Sequence, residues 1–93
     1  MEDLNEKMIK NLSNAALYEQ LAEEATELAH ACLKKARKLR KENPTPMENS
    51  EIDKKIQEEF TDVCLCSDML DLNVSNRVYA SKKIRWANRL KNA

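Results

Sequence analysis

Apolar residues recur every three to four positions through most of this chain, a period that predicts helices rather than strands. Leu4, Met8 and Ile9 give one apolar face to a short helix over about residues 3–11. Leu17, Leu21, Leu28 and Ala31 fall within about 40° of one direction on a helical wheel and predict a second, long helix. Ser13 or Asn14 can cap it, and it should run to about Lys41, where Asn43-Pro44-Thr45-Pro46 breaks the pattern. A third stripe joins Ile52, Ile56, Val63, Cys66 and Leu70. Ser50 is its expected N-cap, Glu51 and Asp53 suit its first turn, and its end is expected at about Asp71. Asn73 to Asn76 offers a turn and new caps, and a last helix is expected from about Asn76 to Lys91.

Two acidic clusters interrupt these stripes in the same way. Glu24 lies about 20° from the centre of the second stripe, and Glu27 about 80° to its flank. Glu59 lies about 20° from the centre of the third stripe, and Asp62 about 80° off on the same side. Carboxylates are rarely buried unless they are paired or bind a cation. Residues three apart are neighbours on a helix surface, so two facing helices would supply four carboxylates to one place. Such a set suits a hard cation, Mg²⁺ with Mn²⁺ as a substitute, which takes oxygen ligands and keeps waters that phosphates can replace. Without a cation the carboxylates would repel one another. The structural alternative needs a basic partner in the core, for example Lys35, which projects onto the same stripe. Glu19 and Glu23 read equally well as solvated residues.

Composition narrows the picture. The chain has 93 residues, no glycine and two prolines, with strand-favouring runs missing. That argues for one all-α domain spanning residues 1–93, a helical bundle of about four helices. A core this small is marginal alone, so completion by oligomerisation, as a homodimer or homotetramer, is expected. Lys plus Arg number 16 and Asp plus Glu number 16, a balance that argues against a net-basic nucleic-acid binder. No apolar run approaches the ~18 residues of a membrane span, and the start, MEDLNEKMIK, lacks the pattern of a secretory signal. Cys32, Cys64 and Cys66 form no CxxC, which reads as reduced core thiols of a cytoplasmic protein.

The last helix carries the opposite charge. Lys82, Arg85 and Arg89 share one side with Val78, while Tyr79, Lys83, Trp86, Ala87 and Leu90 share the other. Three cations at i, i+3 and i+7 suit an anion such as a triphosphate, and a solvated basic face near a helix C-terminus is the alternative. Trp86 is a possible base contact or a packing residue. Glu27-Leu28-Ala29-His30 spells ExxH, but a di-iron site needs that motif twice and there is one histidine, so His30 is expected on the surface.

Glu23, Glu24 and Glu27 as EExxE, followed by Glu59 and Asp62 as ExxD, resemble the MazG-type all-α nucleoside triphosphate pyrophosphohydrolases. The stretch LYEQLAEEATELAHACLKKARKLRKENPTP and the tail from Lys82 to Arg89 are similar to the small phage and bacterial members. The resemblance covers nearly the whole chain. It implies Mg²⁺-dependent hydrolysis of an NTP or dNTP to the monophosphate and pyrophosphate. It also implies metal ligands at Glu24, Glu27, Glu59 and Asp62, and a catalytic, water-orienting role for Glu23. Phosphate contacts would come from Lys82, Lys83, Arg85 and Arg89, in dimers or tetramers. A non-catalytic helical module that binds nucleotide or a protein partner is the competing expectation.

Overall fold

A computed structural model describes residues 12–41 and 47–92. Among the described residues there are three helices, α1 over Asn14–Arg40, α2 over Asn49–Met69 and α3 over Asn76–Lys91, and no strand. The helix expected over about residues 3–11 lies outside them.

Local chemistry accounts for most of the helix ends. Ser13 caps α1, its hydroxyl oxygen accepting the Ala16 N–H at 3.1 Å. Arg37, Lys38 and Arg40 place positive charge in its last turn, where the helix dipole favours it. Lys41 closes α1 in the left-handed region at φ 58°. Helix α2 begins earlier than its pattern suggests. Ser50 lies within it, and the N-cap is Glu48, whose side chain makes no capping bond. The Ile52 N–H donates to the Glu48 carbonyl at 3.1 Å, so the backbone ladder itself sets this start.

The end of α2 is a Schellman closure. Leu72 N–H donates to the Ser67 carbonyl at 2.8 Å and Asp71 N–H to the Asp68 carbonyl at 3.0 Å. Asp71 takes the left-handed φ of 58° that glycine usually supplies. Ser75 then caps α3 by accepting the Val78 N–H at 3.2 Å.

Helices α1 and α2 pack against each other and run antiparallel. Lys35, near the end of α1, donates to Asn49 Oδ1 at 3.1 Å and pairs with Asp53 at 2.8 Å at the start of α2. Leu17, near the start of α1, lines a cavity with Cys66 and Met69 from the end of α2. The buried apolar side chains are Leu17, Ala31, Ile52, Cys66 and Met69, with Leu17 and Ile52 only 1% exposed. Leu21, Leu28, Ile56, Val63 and Leu70 are half-buried. Each belongs to the apolar stripes of the sequence, apart from Met69. Cys66 is a core thiol as expected, but Cys32 and Cys64 are exposed, because both project off the stripes. Among the described residues the three thiols are free.

Helix α3 stands apart. It buries no residue, and every position from 71 to 92 is exposed. Among the described residues, α1 with α2 is the one extensively packed helix pair. The Cα radius of gyration is accordingly 17.2 Å, against ~12 Å for a compact chain of this length. No described helix is long and apolar enough to cross a membrane.

Candidate metal centre

Glu24 on α1 and Glu59 and Asp62 on α2 each offer a carboxylate oxygen, and the three lie within 4.8 Å of one another. Their burial differs. Glu59 is 6% exposed, Glu24 is half-buried and Asp62 is exposed. The trio therefore opens to solvent at one side and backs onto the α1–α2 seam.

Each buried charge has a local partner. Gln20, one turn before Glu24, donates from Nε2 to Glu24 Oε1 at 2.7 Å. Lys55, one turn before Glu59, pairs with Glu59 Oε1 through Nζ at 2.8 Å. Both are i, i+4 pairs, the spacing that brings side chains together on one helix face. Lys35, by contrast, is engaged with Asn49 and Asp53 and serves neither glutamate.

The titration of the pair follows from this geometry. For Glu24 the Gln20 amide pulls downward. Burial, the Asp62 charge and the neighbouring Glu59 together outweigh it and raise the carboxyl above its ordinary value. Glu59 moves the other way. The Lys55 ammonium holds it below the ordinary carboxylate range against the opposing effect of burial, and a hydrogen bond from Glu24 adds to the drop. Glu24 thus keeps a proton longer and Glu59 sheds one sooner, as expected when two acids share one place. Lys55 is raised in turn by its bond to Glu59. Burial pushes the Cys66 thiol up, and the Glu24 and Asp62 charges add to the shift, which places a protonated, unreactive thiol behind the trio.

Glu27 lies outside the converging group. The antiparallel register separates it from Asp62. Three residues beyond Glu24 runs about 4.5 Å up the pair, while three beyond Glu59 runs about 4.5 Å down it, at 1.5 Å per residue. The two flanking carboxylates diverge: Asp62 lies with Glu24 and Glu59, and Glu27 lies toward Lys55, with which it shares a small cavity. Glu23 is exposed beside Glu24 and shares an open depression with it and Glu27.

The basic residues of α3 are all exposed. Arg89 stacks over the Trp86 ring at 5.7 Å, and the Lys83 ammonium lies 6.0 Å above Tyr79. Tyr79, Lys82, Lys83 and Trp86 line an open groove of about 350 Å³. None of these cations is a partner of the acidic trio within this chain. Lys55 is the residue that reading the stripes missed, although Lys55 and Glu59 stand at the i, i+4 spacing in plain view.

Chemically, the arrangement is a set of hard oxygen donors with one resident ammonium counter-ion. Set against known proteins, the chain matches no protein-family model, no curated protein and no solved structure.

Proposed function

We propose that this protein is a Mg²⁺-dependent nucleoside triphosphate pyrophosphohydrolase of the MazG type. It would convert an NTP or dNTP to the monophosphate and pyrophosphate. The observation that carries the reading is the convergence of Glu24 with Glu59 and Asp62 from two separate helices. It joins the EExxE and ExxD motifs in space.

The donor set fits Mg²⁺. Carboxylate oxygens are its preferred protein ligands, and a divalent cation would relieve the charge of Asp62 and Glu59 that, after burial, helps to raise Glu24. Glu24, Glu59 and Asp62 would hold the ion, with Glu27 as a further carboxylate beside them. When bound, the ion supplies charge neutralisation for the phosphates and a more acidic water. Glu23, exposed next to Glu24, takes the proton as a water oxygen bonds to the α-phosphorus. The bond from that phosphorus to the bridging oxygen breaks, and pyrophosphate leaves with the electron pair. Lys82, Lys83, Arg85 and Arg89 are free of the α1–α2 pair, so we assign them to the phosphates at a neighbouring copy's trio. Trp86 would meet the base there. A dimer or tetramer follows from that assignment.

The test is release of pyrophosphate from a panel of NTPs and dNTPs with Mg²⁺. Glu24→Gln and Glu59→Gln should each abolish it while helix content by circular dichroism stays unchanged. Unaltered turnover in both variants would sink the assignment. A second reading, a non-catalytic helical module that binds nucleotide or a protein, is favoured by one observation. Lys55 already neutralises Glu59 at 2.8 Å. Calorimetry separates the two, because the module predicts no Mg²⁺ binding at millimolar concentration.

A further inference from the structure

Between α1 and α2, one turn from the acidic trio, lies a second place whose His30 and Lys34 the metal reading does not use. It is a cavity of about 90 Å³ with a floor of buried Ala31 and Ile52. Its polar wall is Glu27, His30 and Lys34 from α1 and Lys55 from α2. The spacing of the α1 residues, i, i+3 and i+7, places all three on one helix face.

We propose that this cavity is a phosphate-group subsite, in which His30, Lys34 and Lys55 hold one tetrahedral oxyanion beside the acidic trio. The cavity offers several times the ~10–15 Å³ that a single water needs, which leaves room for a phosphate group. The wall has two ammonium groups against one carboxylate, and His30 adds a ring N–H donor. Glu27 is the one unfavourable group for a bare anion, and it also accepts the hydrogen of a singly protonated phosphate.

Lys55 ties the subsite to the trio. Its Nζ lies 2.8 Å from Glu59 Oε1, and its side chain also lines the cavity. A divalent cation among the trio would satisfy Glu59 and leave the ammonium free to turn to the cavity. Cation and phosphate binding are then mutually reinforcing, with Lys55 as the shared element. Assigning the anion to the pyrophosphate end of a nucleotide rests on the hydrolase reading above; affinity for a phosphate group does not.

His30 is the only histidine, so its imidazole resonances report on the cavity without ambiguity. The full chain, freed of metal with a chelator, is titrated at fixed pH with inorganic phosphate, and separately with sodium chloride at matched ionic strength. Phosphate should give a saturable shift of the His30 resonances that chloride does not. Lys34→Met, with its fold checked by circular dichroism, should weaken that binding roughly tenfold, the worth of one charge-assisted hydrogen bond. No saturable shift, an equal shift with chloride, or full affinity in Lys34→Met overturns the subsite, whatever the turnover assays give. Addition of Mg²⁺ should tighten pyrophosphate binding in the native chain and not in Lys55→Met. Equal tightening in both would remove Lys55 as the coupling element. A clear phosphate response in a chain that hydrolyses no nucleotide would keep the subsite and discard the hydrolase.

Discussion

Trp86 offers the most direct measure of how α3 is used. Its side chain is 64% exposed, and Tyr79 on the same side is 60% exposed. An aromatic side chain can bury roughly 150–250 Å², so about 160 Å² of Trp86 and about 120 Å² of Tyr79 are uncovered. At about 25 cal/mol per Å² the uncovered Trp86 surface is worth up to about 4 kcal/mol per protomer. A two-fold interface uses the same patch twice, giving about 8 kcal/mol from Trp86 alone. Association costs about 4–15 kcal/mol in lost freedom, so this contribution decides whether a dimer forms. The perturbation is Trp86→Lys, which removes the apolar surface and sets a charge on it. The assay is sedimentation equilibrium of the native chain and the variant from about 1 to 100 µM, where a loss near 8 kcal/mol exceeds the whole measurable range. The native chain should be a dimer or larger and the variant a monomer. A monomeric native chain at about 100 µM, or equal masses for both proteins, would refute the argument that α3 is an exposed surface awaiting its partner.

Three further outcomes follow from particular contacts. Leu17→Ala removes one of the two most buried side chains from a small core, and thermal unfolding should show a loss of about 2–5 kcal/mol. The Lys55–Glu59 pair ties stability to pH at both ends. Glu59 is held below its ordinary value, so its contribution is present above 4.5 and is lost as acid protonates it. Lys55 is held above its ordinary value, so its contribution is complete below 10.5 and is lost only at higher pH, and Lys55→Met should erase that alkaline step in a denaturation series. Lys41→Gly places at φ 58° the residue that tolerates it, and should raise stability by about 0.5–1 kcal/mol, read as a melting temperature higher by several degrees.

The long elements were legible because their signals are local. Ser13 and Ser75 cap by their own hydroxyls, and the stripes of α1 and α2 place Leu17, Ala31, Ile52 and Cys66 in the core. The start of α2 was not legible to the residue, since Glu48 holds the cap position without a side-chain bond. The inward glutamates were legible as a pair, because both lie within apolar stripes. Which flanking carboxylate joins them was not. A wheel records angle and discards position along the axis, so Glu27 and Asp62 look equivalent until the antiparallel register separates them. Lys55 escaped for a related reason. It lies off the apolar stripe, and a long side chain reaches across that angle with ease.

The sequence contains no glycine at all. An average chain of this length would contain about six, each a point where the unfolded backbone samples conformations that folding must then surrender. Replacing glycine by another residue at a compatible site is worth about 0.4–1 kcal/mol through that unfolded ensemble, which for about six sites amounts to about 2–6 kcal/mol. A protein whose buried apolar side chains, among the described residues, are Leu17, Ala31, Ile52, Cys66 and Met69 thus begins from a less disordered denatured state. Part of its stability resides in what the unfolded chain cannot do, where no contact in the folded structure records it.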